Sequence, residues 1–187
     1  DPSLRAETRS SLGLRNRFAW LSAGRLVEVK RHVDLLAAMR IVRTAAPDVR
    51  LLIAGTGPLH SALERAIDEY GLAECVSLLG LRSDVRALMQ ASDAFVMSSA
   101  WEGVPMVLLE AAASALPAVA PDVGGSGDVV SSGDTGFLTP ARQPRDLAQA
   151  MLRLMALTPP ERSSMGERAR LRVTRSFDLE QVADRWE

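Results

Sequence analysis

Two glutamates, Glu102 and Glu110, stand eight positions apart in SSAWEGVPMVLLEAAA (98–113) and are the first candidates for chemistry in this chain. The apolar run before them, 94–97, reads as a buried strand. Glu102-Gly103 then turns the chain into a helix over 104–114, with Pro105 in the first turn, where a missing N–H costs nothing. Gly103 suits a tight corner with close backbone approach. The start of the helix offers unpaired N–H groups and a positive dipole end, an anion site above the sheet. Glu110 is flanked by Val107, Leu108, Leu109 and three alanines, which predicts a mostly buried helix and a carboxylate in need of a partner. Two acids at different depths beside an anion-attracting helix end suit a ligand with both hydroxyls and phosphates. A sugar nucleotide is such a ligand.

The elements that must position these residues follow from hydrophobic periodicity. Short apolar runs at 18–23, 49–54, 75–79, 94–97, 117–120 and 136–139 read as strands. Between and after them, helical spacing covers Val33 to Val42, 59–70, 83–91 with Ser83 as N-cap, 104–114, 145–157, 160–175 and 179–186, with one turn at 128–132. Residues 1–14, polar and arginine-rich, read as a linker or leading helix. Strands of four to six residues alternating with helices predict an α/β fold, a Rossmann-like parallel sheet with helices on both faces. Ligands of such sheets bind beyond the carboxyl ends of the strands. Arg25, Lys30, 55–57, 98–103 and 124–127 all follow strand ends, so they are expected on one rim.

The chain's 187 residues suffice for one well-buried domain. A net charge of −1 gives no argument for nucleic acid or an anionic membrane surface. No apolar run is long enough to span a bilayer, and no signal peptide opens the sequence. The single cysteine, Cys75, rules out an internal disulfide and agrees with a cytoplasmic setting. Lys30 is the sole lysine among 22 basic residues, which draws attention to its turn.

Around SSAWEGVPMVLLEA stand Gly24-Arg25-Leu26 with Lys30, then LLIAGTGPL, VSLLG, ASDAFVMSS and the run 117–138, in one order and spacing. Together, over 18–157, they resemble the retaining glycosyltransferases of family 4. The resemblance implies a GT-B architecture, two Rossmann-like domains around a cleft, of which this chain is similar to the C-terminal, donor-binding one. It implies a linker or leading helix over 1–17 and a nucleotide-sugar-binding domain over 18–176. A closing helix over 177–187 would turn Leu179, Val182 and Trp186 toward an absent N-terminal acceptor domain. Arg25 and Lys30 would hold the donor diphosphate. Glu110 would bind the ribose hydroxyls, and Glu102 would face the donor sugar as a positioning group, not a nucleophile. Gly103, Val104, Pro105 and Met106 would line sugar and diphosphate; Gly24, Gly55 and Gly57 would border the nucleotide, and Arg82, with Leu81 and Val85, the base.

The chain contains no Asp-x-Asp, in keeping with a transferase that uses side-chain cations, so no metal and no cofactor are expected besides a substrate such as a UDP- or GDP-sugar. What is implied is transfer of a hexose-type sugar to a glycan or lipid-linked acceptor, in polysaccharide biosynthesis. This chain alone would bind donor without transferring, and the full-length enzyme would have room for peripheral membrane association. Two alternatives stay open: a nucleotide-binding module without catalysis, and a GT-B sugar-nucleotide epimerase. An NAD-dependent oxidoreductase fails on the glycine motif, because His60 stands where a third glycine is needed after Gly55-Thr56-Gly57. The loop 124–127 reads as either a phosphate nest or a connection. Ser98 and Ser99 lack a nucleophile-elbow context, and His32 and His60 lack metal-ligand neighbours. Three positions depart from the family pattern: Ala115 for its glycine and Ala118 for its valine, both expected to be neutral in packing, and Asp128 for its glutamate.

Overall fold

The structure, a computed structural model, describes residues 2–177. Six parallel strands form one sheet in the order β3-β2-β1-β4-β5-β6. They are β1 Ala19–Ala23, β2 Arg50–Ala54, β3 Val76–Gly80, β4 Ala94–Val96, β5 Ala118–Pro121 and β6 Gly136–Thr139. The order reverses between β1 and β4, and that crevice is where such sheets take ligands.

Strand residues alternate between two cores, as a pleated sheet requires. Trp20, Leu51, Ile53, Val96 and Val119 face one side, packed by α2 His32–Ala45, α3 His60–Glu69 and α7 Pro144–Ala156. Leu21, Leu52, Phe95, Ala118 and Ala120 face the other, packed by α4 Val85–Ala91, α5 Met106–Ala113 and α8 Pro159–Ser176. Among the described residues no helix is long and apolar enough to cross a membrane, and Cys75 is a buried free thiol.

Several local expectations are corrected. The leading segment forms α1, Pro2–Ser11, and is tied down: Arg5 and Arg9 both pair with Asp93, at 2.7 and 3.1 Å, and Asp93 also accepts the Ala19 N–H at 2.8 Å. Leu14 is fully buried. Ser83 caps nothing; Asp84 precedes α4, and its side chain takes the Arg82 guanidinium instead. Pro105 is the N-cap of α5, one position outside the helix. The turn expected at 128–132 is α6, Ser126–Val129. For Ala115 the cost lies in the backbone and not in packing: it sits at φ +55, in the left-handed region that glycine adopts freely and alanine only at a cost of about 1 kcal/mol. The helix expected over 179–186, with Leu179, Val182 and Trp186, lies outside the described residues.

Candidate functional site

Beyond the carboxyl ends of β1 and β2, facing the start of α5, lies a cavity of about 560 Å³. Twelve of the residues given a ligand role from the sequence line it: Gly24, Arg25, Lys30, Gly55, Leu81, Arg82, Val85, Glu102, Val104, Pro105, Met106 and Glu110. Val27, unmarked by any motif, lines it too, because the turn that carries Arg25 and Lys30 also carries Val27 into the wall. Gly57 and Gly103 are not among the lining residues.

Charge is arranged unevenly in this cavity. Lys30 Nζ donates to Glu102 Oε1 at 2.6 Å, and the two side chains are only 24% and 11% exposed. The sequence places Lys30 beside Arg25 as a diphosphate cation; the structure gives Lys30 a carboxylate partner already. Arg82 forks onto Asp84 at 2.8 and 2.6 Å. The Arg25 side chain is exposed and has no hydrogen-bond or ion-pair partner among the described residues. Arg25 is therefore the lining cation open to an anion without any exchange of partners. Burial first, and the Lys30 charge second, push His32 down to about 4, so at neutral pH it adds no competing positive charge.

Glu110 corrects the expectation of a buried carboxylate. It is exposed and unpaired among the described residues. Helix α5 buries Leu108, Ala111 and Ala112 against the sheet. The i, i+4 pair Met106 and Glu110 lies on another face, toward the cavity. The apolar neighbours in sequence belong partly to the core and partly to the cavity wall, which one-dimensional flanking does not separate.

The glycines hold neighbouring loops together. Gly24 N–H donates to Ala54 O and Leu26 N–H to Thr56 O, both at 2.9 Å, so the loops after β1 and β2 are zipped side by side. A Cβ on Gly55 would lie 1.8 Å from Gly24 O, and one on Gly57 2.4 Å from Leu26 O. Gly103, expected at a close approach, has nothing within 4 Å of its would-be Cβ. The close approach belongs to Gly124, whose Cβ would lie 1.9 Å from Glu102 O; beside it Gly125 N–H donates to Gly103 O at 2.7 Å. The loop read as a phosphate nest or a connection thus packs against the backbone that carries Glu102. On the far side of that loop, Arg172 of α8 donates to Asp128 O at 3.0 Å.

The arrangement offers an open guanidinium, an ion pair across the cavity, an exposed carboxylate and the first N–H groups of α5. That set matches phosphate and hydroxyl recognition. Residues 5–172 match the protein family described as "Glycosyl transferases group 1". The chain is 31% identical over 160 residues to the N-acetyl-alpha-D-glucosaminyl L-malate synthase of Bacillus anthracis, covering 86% of this chain and 42% of that protein. It is likewise 31% identical over 147 residues to an Escherichia coli UDP-Gal:alpha-D-GlcNAc-diphosphoundecaprenol alpha-1,3-galactosyltransferase, covering 76% of this chain and 38% of that protein. Among solved structures, Anabaena HepE in complex with UDP superposes with a TM-score of 0.90 at 26% identity, over 100% of this chain and 53% of that one. The chain thus spans about half or less of the length of these relatives.

Proposed function

This chain belongs to the glycosyl transferases group 1 family, and on that premise we propose that it is the donor-binding domain of a retaining glycosyltransferase of family 4. Its ligand is a nucleotide-diphospho-sugar of the hexose type. The observation that carries the reading is the convergence of Arg25, Lys30, Glu102 and Glu110 on one cavity at the switch point of the sheet. Arg25 and Lys30 hold the diphosphate. When the bond from the sugar C1 to the diphosphate oxygen breaks, the electron pair stays on that oxygen, and fixed cations stabilise it where it develops. Glu110, exposed at the cavity edge, accepts hydrogen bonds from the ribose hydroxyls. Glu102 orients the donor sugar. The acceptor is a glycan or lipid-linked sugar, and the setting is cytoplasmic. Transfer needs no divalent metal in this reading.

Calorimetric titration with UDP, GDP and ADP, with chelator present, tests it: one nucleotide saturates the site, and a strong dependence on magnesium overturns the metal-free part. Two variants assign the subsites. Arg25→Ala is expected to weaken UDP roughly tenfold and UMP far less, since a charge-assisted contact to phosphate is worth about 1.5 kcal/mol or more. Equal losses would argue against a contact to the terminal phosphate. Glu110→Ala is expected to weaken UDP, UMP and uridine alike, about fivefold, because all three share the ribose; unchanged affinities remove Glu110 from the site.

A further inference from the structure

The side chain of Ser98 is not explained by any role in the cavity, because it does not line it. It is buried two residues past β4, and its hydroxyl donates to the backbone carbonyl of Lys30 at 2.8 Å. Two residues on, the Ala100 N–H donates to Val29 O, also at 2.8 Å. The segment after β4 thus grips the last two carbonyls of the turn that ends in Lys30. Two residues further along, the same segment delivers Glu102, whose carboxylate accepts from the Lys30 ammonium at 2.6 Å. The result is a closed ring: Lys30 backbone, Ser98, the short strap 99–101, Glu102, Lys30 ammonium.

A lysine head sits on four rotatable bonds, so its position is set only if both its backbone and its tip are held. Here the segment 98–102 holds both, and an entering phosphate would take over the tip from Glu102 while the backbone stays held by Ser98. We propose that Ser98 is a positioning residue: through the Lys30 carbonyl it sets where the Lys30 ammonium meets the ligand's phosphate. This rests on the reading of Lys30 as a diphosphate cation. If the hydroxyl only satisfied itself in the core, its removal would not distinguish a phosphate-bearing ligand from one without phosphate. If it positions Lys30, the loss falls on the phosphate alone.

UDP and uridine are titrated into the wild-type chain and into Ser98→Ala and Ser98→Thr. Ser98→Ala is expected to weaken UDP about fivefold, the effect of one misplaced hydrogen-bond partner, and to leave uridine within twofold. Ser98→Thr, which keeps the hydroxyl, is expected to restore UDP binding. Unchanged UDP affinity in Ser98→Ala, an equal loss of uridine, or no rescue by threonine overturns the proposal. Should the alanine variant fail to fold, Ser98→Cys, a weak donor of similar size, is read in the same way. A wild-type chain that binds no UDP overturns the nucleotide reading itself; wild-type binding with an unaltered Ser98→Ala overturns only the role of Ser98.

Discussion

Glutamine at position 102 is expected to tighten UDP binding about fivefold while lowering sugar transfer by the full-length enzyme about a hundredfold or more. The two effects have one source. Glu102 places a carboxylate 2.6 Å from Lys30 in a pocket that leaves that carboxylate side chain 11% exposed. A diphosphate entering the cavity competes with it for a single ammonium and is repelled by it, and like charges at such range, outside bulk water, oppose each other by a few kcal/mol before screening. Glu102→Gln keeps the shape and removes the charge, so the free nucleotide gains. On the role proposed for Glu102 transfer loses, because a carboxylate that would orient the sugar is removed, and deleting one preorganised electrostatic contact typically costs about 10²–10³ in rate. Titration of UDP and initial-rate measurement on the same variant decide the matter. If affinity and rate fall together, Glu102 contacts the nucleotide directly and does not compete for Lys30.

Gly55→Ala is expected to destabilise the domain by about 3 kcal/mol or more, seen as a fall of roughly 10 °C in the thermal midpoint. The added Cβ meets the Gly24 carbonyl oxygen at 1.8 Å, and both atoms belong to backbone that cannot swing aside as a side chain can. The backbone at Gly55 also lies at φ +147, where an L side chain is strained. Relief would require parting the loops after β1 and β2, which share the hydrogen bonds of Gly24 and Leu26, and separating Gly55 N–H from Gly80 O. Gly71→Ala is the control. It has positive φ, +65, with nothing within 4 Å, so it carries only the conformational cost of about 1 kcal/mol. Similar losses in the two variants would mean that close approach of the loops contributes nothing.

Gly55 and Gly57 show that one motif can answer two needs. Gly55-Thr56-Gly57 looks like a ligand loop because ligand loops and loop-to-loop packing both need a missing Cβ. Only Gly55 reaches the cavity, and both glycines are required by the neighbouring loop. The same ambiguity displaced the expectation for Gly103 onto Gly124. For Glu110, apolar neighbours implied burial, whereas a helix that lines a cavity has apolar residues on two faces, one for the core and one for the ligand.

Local period and residue type are enough to specify the elements and their order. Alternating short apolar runs and helical stripes specify strands and helices in turn, and short parallel strands force crossovers that bring every strand's carboxyl end to one edge. Hence the fold class and the rim that gathers Arg25, Lys30 and Glu102 are legible in the sequence, whereas Glu110 joins that rim only in the folded chain. The tertiary structure alone decided who touches whom across that rim. Lys30 and Glu102 are 72 positions apart, Arg5 and Arg9 stand 88 and 84 positions from Asp93, and Gly124 meets a carbonyl 22 residues before it. Such pairs depend on strand order and on how far each loop leans over its neighbour. Periodicity is blind to both, because it records which face of an element is buried and not what lies against it.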